Sequence, residues 1–427
     1  MFLQGIVGLS KAYMNVGFMS AYEIEIHMCT IRSMTSKTLA DQGSARVAWI
    51  RSRMTMLAAV RDEMLDAQPF AGHRIGMSLH VEPKTAVLVE TLAAGGAEIV
   101  GTGNYGSTQD DVVAYLNTLP NITIHGSRGD DLAQHAANVA LVLDAQPDML
   151  LDNGADLAAG LVERGLAHTV IGGTEETTSG GDRLRGELAD GVTFPVIVIN
   201  DSLLKAIGEN KHAVGQSAVE SFMRITNVMI PARRFVVFGY GWCGRGIAAY
   251  LRSLGGKVAV VDSNEIKAFE ATLDGFRVGD AHDFAEWGDV FITATGRPNV
   301  LGYDIVERMA DGAIIGNIGH FPWEIDVPAI RAHQTGATEV VDALERIELP
   351  NGRHVVLIAD GRMFNLAGTA PKGNSIESMD IGFMLQTLSL ERVASDAATL
   401  RSGAQTVPDD IDRVIARRIM ATLHASS

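Results

Sequence analysis

Between Phe235 and Gly246 the chain reads FVVFGYGWCGRG, with Gly239, Gly241 and Gly244 in G-x-G-x-x-G spacing. Apolar β-formers lead in, and IAAYLRSLG after Gly246 has the apolar spacing of a helix, which makes a strand, a glycine turn and a helix start. Such a turn closes tightly, lets a pyrophosphate reach the outward N–H groups of the helix, and lets helix and strand pack closely. The next strand, KVAVV, ends at Asp262, roughly 20 residues beyond the first glycine, where a carboxylate can accept from the adenosine ribose hydroxyls of NAD. A 2′-phosphate would be repelled there, so the expected dinucleotide is NAD rather than NADP. The glycines alone carry little; the strand, helix and terminal acid around them carry the inference.

A second set of reactive side chains stands directly after apolar runs. His80 follows RIGMSL, Asp152, Asn153 and Asp156 follow DMLL, Glu176 follows TVIGGTE, Lys205 comes shortly after PVIVINDS, and His320 follows AIIGNIG. Open α/β sheets bind ligands off the carboxyl ends of their strands, so these groups are candidates for acid–base work beside a nicotinamide. Each has a structural alternative. The acids could cap the helices that follow, the histidines could be hydrogen-bonded structural residues, and Lys205 could be a solvated surface lysine.

The elements that must carry these groups alternate. From Thr38, the residues Val47, Ile50, Met54, Leu57, Val60 and Met64 recur at three- and four-residue spacing and predict one long amphipathic helix. RIGMSLH, AEIVGTG, ITIHGS, DMLLDNGAD, TVIGG and PVIVIN read as strands, with helical intervals such as TAVLVETLAAGG and TQDDVVAYLNTL. Such alternation builds a parallel sheet covered on both faces. The fold class is therefore α/β, with two doubly wound parallel-sheet domains. We expect a substrate-binding domain over 38–212 and a Rossmann domain over 213–365. In the remaining segment, 366–427, SMDIGFMLQTLSLERVA reads as a helix returning to the first domain, followed by a polar tail. Residues 1–37 show no clear period and are expected to form an extension.

Composition narrows the class. With 427 residues and 47% hydrophobic content the chain can bury more than one core. A formal charge of −16, without a long Lys/Arg block, argues against a nucleic-acid partner. The cysteines Cys29 and Cys243 supply neither a disulfide framework nor a metal cluster, so no metal is expected and the compartment fits a reducing cytosol. No apolar run reaches membrane-spanning length, and MFLQGIVGL lacks the flanks of a signal peptide.

The segments SLHVEPKTAVLVETL, GSTQDDV, DNGADL, TEETTSG, INDSLLK, GYGWCGRG, NIGHFPWEID and GRMFNLAG resemble, in order and spacing, the signatures of the adenosylhomocysteinase family. The resemblance covers roughly residues 38 to 400 and looks like the branch typical of archaea and some bacteria. It implies an NAD-dependent homotetramer with a hinge between its domains. It also implies a reaction in which the ribose 3′-hydroxyl is oxidised, the 4′-proton is removed, the 5′-substituent leaves, water adds and the hydride returns. By that resemblance Lys205 with Glu209 assists deprotonation of the 3′-hydroxyl, Glu176 holds the ribose hydroxyls, and His80 handles protons at C4′ and C5′. His320 and Phe321 form a gate. Thr177, Thr178, Ser179, Asn210, Thr295, Gly319 and Asn365 match cofactor contacts.

Several positions depart from the family. The loop after Asn365, LAGTAPKGNSIESMDIGF, has no histidine where members carry Gly-His-Pro. Asn153 replaces an aspartate that shares proton handling with the histidine; an amide cannot take that proton, which leaves His80 alone or with Asp152 or Asp156. Glu209 stands where aspartate is usual, and the C-terminal Lys and Tyr of many members are missing. Glu82 and Lys84 follow His80 on the purine-reading strand; a carboxylate suits a 6-amino group and an ammonium a 6-oxo group, unless the two pair with each other. Because the redox residues match and the leaving-group side differs, the sequence favours an enzyme acting on a purine nucleoside as a 5′-dehydratase, expelling water from an adenine nucleoside to leave an unsaturated sugar. Adenosylhomocysteinase, S-inosylhomocysteine hydrolase and a catalytically silent NAD-binding regulator are the alternatives.

Overall fold

The structure is a computed structural model that describes residues 38–320 and 322–425. The expected extension at 1–37 and Phe321 lie outside the described residues. Strands in chain order are β1 (Arg74–Leu79), β2 (Glu98–Gly103), β3 (Ile122–His125), β4 (Met149–Asp152), β5 (Gly172–Glu175) and β6 (Pro195–Val198). After them come β7 (Arg234–Phe238), β8 (Lys257–Val261), β9 (Arg277–Val278), β10 (Val290–Thr293), β11 (Ala313–Asn317), β12 (Gly336–Val341), β13 (Leu344–Glu348), β14 (His354–Ile358) and β15 (Gly403–Thr406). They form one sheet in the order β15-β6-β5-β4-β1-β2-β3 and another in the order β12-β13-β14-β11-β10-β7-β8-β9.

Side-chain alternation explains why helices cover both faces of each sheet. In β4, Met149 and Leu151 join the hydrophobic cluster of Leu57, Val60 and Leu390, whereas Leu150 joins that of Leu143, Leu161 and Leu184. In β7, Phe235 and Val237 pack with Phe222 and Ile247, whereas Val236 and Phe238 pack with Phe284 and Ile330. A strand buried on both sides reads as a continuous apolar run, which is how β1 and β7 were visible in the sequence.

Three expectations need correction. The second sheet is not wholly parallel: β12 and β13 form an antiparallel hairpin that joins β14 antiparallel. The long helix from residue 38 is two helices, Leu39–Arg53 and Thr55–Ala67, broken at Met54. The break follows from a buried acceptor, because the Asp380 carboxylate takes the amides of Met56 and Leu57 at 3.1 and 2.7 Å. The polar tail is structured instead: β15 pairs parallel with β6, and a helix runs over Asp409–Ala425. The helix Ile376–Asp396 buries Phe383, Leu385 and Leu390 in the first sheet's cluster.

Candidate active site

The glycine turn is built as its spacing requires. Gly239 has φ +94°, a conformation that L side chains rarely adopt, and a Cβ on Gly244 would stand 1.8 Å from the Gly239 carbonyl oxygen. A Cβ on Gly241 would meet only Lys267 Nζ, at 4.0 Å, so the backbone faces open space at the start of the helix Trp242–Ser253. Asp262, at the end of β8, accepts from the Tyr240 amide at 2.6 Å and the Asn264 amide at 2.8 Å. Those bonds fix the carboxylate beside the turn.

A cavity of about 2010 Å³ lies between the carboxyl ends of the two sheets and is lined from both. Ligand sites for one small molecule span about 300–1,000 Å³, so this one has room for two. His80, Glu82, Lys84, Asn153, Glu176, Thr177, Thr178, Ser179, Lys205, Glu209, Asn210, Gly241, Thr295, Gly319, His320 and Asn365 all line it, whereas Gly239, Gly244 and Asp262 do not.

Within it the polar side chains form a continuous network. Lys205 Nζ donates to Glu209 Oε2 at 2.8 Å and Glu176 Oε1 at 3.2 Å. Asn153 Nδ2 donates to Glu176 Oε2 at 3.1 Å while its Oδ1 accepts from Asn104 Nδ2 at 2.9 Å. An aspartate at 153 would instead set carboxylate against carboxylate. Burial lowers the Lys205 pKa, but Glu209 and Glu176 outweigh it, so the ammonium is held charged above its ordinary value. Burial pushes Glu176 up, yet Lys205, the Asn153 amide and His80 reverse this and leave it below the usual carboxylate range. Glu209 is raised by burial.

His80 meets neither Asp152 nor Asp156. Its Nδ1 lies 2.6 Å from Ser107 Oγ, which itself donates to the Asn104 carbonyl at 3.1 Å. When the hydroxyl donates to that carbonyl, Nδ1 carries the imidazole proton and Nε2 keeps the free lone pair. The His320 ring stands 6.1 Å from that of His80. Asp152 instead accepts from the Ala158 amide, a helix-capping role, and Asp156 pairs with His135 and Arg183. Glu82 and Lys84 do pair, at 2.8 Å, and Lys84 also donates to the Lys372 carbonyl at 2.9 Å.

Sequence reasoning missed two buried acids that shape the walls. Glu175 accepts from the amides of Gly154, Ala155 and Thr177 at 3.0, 2.9 and 2.7 Å, tying the DNGAD turn to the TEETTSG turn. Glu324 accepts from the Thr295 and Gly296 amides at 2.8 and 2.7 Å, and Gly319 is bare because a Cβ there would lie 1.4 Å from Glu324 Oε1. The sequence signal was an acid closing the apolar-led run TVIGGTE and an acid between the apolar Trp323 and Ile325; only the fold shows that both accept from backbone amides. Elsewhere on the cavity wall Asn210 donates to Asn200, which donates to Thr178 Oγ1, at 2.8 and 2.7 Å. Ser179 donates to Thr177 Oγ1, which caps its helix. Asn365 Oδ1 is buried with no hydrogen-bond partner among the described residues, an acceptor available to a ligand amide. The open glycine cradle, the fixed Asp262 and this orphaned acceptor fit a dinucleotide.

Residues 33–169 match the family model for S-adenosyl-L-homocysteine hydrolase, and residues 210–371 match the model for the NAD binding domain of that hydrolase. The chain belongs to the S-adenosyl-L-homocysteine hydrolase family. Within this family it is 43% identical over 387 residues to the S-inosyl-L-homocysteine hydrolase of Methanopyrus kandleri, covering 89% of this chain and 90% of that one. It is 41% identical over 382 residues to the adenosylhomocysteinase of Sulfolobus acidocaldarius, covering 89% and 91%. Membership in the S-adenosyl-L-homocysteine hydrolase family makes NAD the cofactor and the chain an NAD-dependent enzyme of the adenosylhomocysteinase type. Among the described residues no helix is long and apolar enough to cross a membrane, and no group of three His, Cys, Asp or Glu could hold a metal ion.

The two imidazoles give this family member a testable pH signature. Burial lowers the pKa of His80, and burial with the neighbouring His80 lowers that of His320 to about 4. Both are neutral at pH 7, so the acidic limb of kcat/KM should lie below the ordinary histidine value of 6.5. Because the unfolded chain binds these protons more readily, stability should fall as pH drops from 6.5 towards about 4. An acidic limb at 6.5 or above would contradict the assignment. Cys243, pushed up to about 12 chiefly by burial, should resist alkylation in the native protein at pH 8.

Proposed function

We propose that this chain is a purine nucleoside 5′-dehydratase that oxidises C3′ transiently, eliminates water across C4′ and C5′, and releases an unsaturated sugar. When bound, NAD⁺ supplies a hydride acceptor for C3′ and later returns the hydride. The Glu209 carboxylate receives the 3′-hydroxyl proton, and the Lys205 ammonium between Glu209 and Glu176 stabilises the oxygen that loses it. His80 Nε2 takes the C4′ proton, acidified by the adjacent ketone, and passes it to the departing 5′-hydroxyl. The sum is loss of one water with no net redox change.

The observation that carries this reading is the Asn153 amide, engaged on both sides by Glu176 and Asn104. An amide held this way takes no proton, so His80 serves both C4′ and C5′: carrying one proton from C4′ to the leaving oxygen suits loss of water, whereas hydrolysis also asks it to take a proton from water. The loop after Asn365 supports it too, since it carries no imidazole and Arg128, Arg224 and Lys84 bind its carbonyls at Gly368, Thr369 and Lys372.

A second reading, hydrolysis of S-adenosyl- or S-inosylhomocysteine, is supported by the named activities of the relatives. The test offers both thioethers and free purine nucleosides to the purified protein, following products by mass spectrometry and transient NADH by absorbance. A mass loss of one water from a free nucleoside, without thioether cleavage, is expected. Thioether cleavage would replace the proposal with the second reading, and no reduction with any substrate would point to a silent regulator.

We also infer that the substrate unit spans 38–212 and the cofactor unit 213–365 with a hinge between them, and that the protein is a cytoplasmic homotetramer. Ile266, Phe269 and Leu273, 77%, 63% and 71% exposed on one face of the helix Glu265–Leu273, support self-association. Light scattering of the purified protein tests it.

A further inference from the structure

We propose that Gly382 is a positioning residue for Glu209, and that the two positions form one volume-coupled pair; this rests on the reading that Glu209 serves the 3′-hydroxyl proton. Lys205 and Glu209 stand on one helical run whose stretch Ala206–Ala213 is π-helical. That run packs against the helix Ile376–Asp396, where Gly208 meets Ile381 at 3.5 Å from its would-be Cβ. At the next position, a Cβ on Gly382 would stand 1.6 Å from Glu209 Oε1 and 2.8 Å from its carboxyl carbon. Both atoms belong to the end of a side chain that is itself 3% exposed, so its retreat is a swing towards the cavity it lines, which shifts the carboxylate relative to Lys205.

Glu209 is one methylene longer than an aspartate, and its Oε2 nevertheless reaches Lys205 Nζ at a normal 2.8 Å. The missing side chain at 382 accommodates the extra length. Glu209 Oε1, lying against that glycine, is buried with no hydrogen-bond partner among the described residues. Nothing else fixes this oxygen, so its place is set by shape, and the shape is that of a glycine. With any larger residue at 382 the carboxylate must swing and carry Oε2 off the ammonium; with an aspartate at 209 the pocket opposite Gly382 is left empty. The combinations that fill the space are glutamate with glycine and aspartate with alanine.

The test is a double-substitution cycle in the full-length NAD-loaded protein, comparing Gly382→Ala, Glu209→Asp and the pair. Gly382→Ala should lower the rate of cofactor reduction by roughly 10²-fold with little change in KM, as a displacement of about 1 Å at a reacting group does. Glu209→Asp in that background should restore most of the rate, and Gly382→Ala should depress the melting temperature far less there than in the parent. Additive effects on both rate and melting temperature would overturn the proposal. If the parent protein reduces no cofactor with any nucleoside, the 3′-oxidation reading fails, while the melting-temperature cycle still decides whether positions 209 and 382 are coupled.

Discussion

Lys205→Ala should slow transient cofactor reduction by about 10²- to 10⁴-fold while the purified protein keeps its bound NAD. Lys205 is the cation that lets two carboxylates share one buried site: its side chain is 5% exposed, with Glu209 3% and Glu176 13%. Without it, Glu176 and Glu209 face each other uncompensated, and one of them must take up a proton. Removing one partner of a buried ion pair typically costs about 3–5 kcal/mol, so the variant should also melt earlier. Lys205→Ala with Glu209→Gln removes the surplus charge, and should recover stability without recovering turnover. Stopped-flow absorbance of NADH, a melting curve and the NAD content of the same preparation measure all three effects. Reduction at the parent rate would mean that the ammonium takes no part in removing the 3′-hydroxyl proton.

The second large effect is expected at the other end of the cofactor. Gly244→Ala adds a methyl group 1.8 Å from the Gly239 carbonyl oxygen, a separation no real Cβ contact shows. The obstacle is backbone, so relief requires the strand-to-helix turn to open. Opening it moves the amides that would meet the pyrophosphate and loosens the Tyr240 amide from Asp262. The variant should emerge from purification nearly free of NAD, with its circular dichroism preserved by the intact first sheet. Gly336→Ala, on β12 of the same sheet, is the matched control, because a Cβ there meets nothing closer than 3.5 Å and the residue does not line the cavity. Equal NAD content in all three proteins would show that the turn does not hold the dinucleotide.

What the sequence disclosed, and what it hid, follows from the range of the interactions concerned. The Gly239 turn was legible because every part of it, from strand to terminal acid, is local. His80, Glu176, Lys205 and His320 were legible because residues that end parallel strands share one rim, and all four do line one cavity. The hairpin of β12 and β13 was not, because its turn at Asp342 and Ala343 lacks the glycine or asparagine that usually marks one, and Ala343 itself takes φ +64°. Glu175 and Glu324 look like surface acids until folding brings backbone amides to them. Ser107 as the partner of His80 could not be found by spacing, since the loop that brings it there belongs to β2 rather than β1. The break at Met54 depends on Asp380, 323 residues away from the amide it holds at Leu57.

That last distance has a consequence for biosynthesis. The first sheet receives its edge strand β15 and the cap on its second helix from a segment that follows the second sheet in the chain. The second sheet, contiguous in the chain from β7 to β14, can therefore complete itself during translation, whereas the unit encoded before it must wait for the returning segment. A frameshift or proteolytic nick near residue 370 should thus spare the dinucleotide-holding half and leave the amino-terminal half as a client for chaperones.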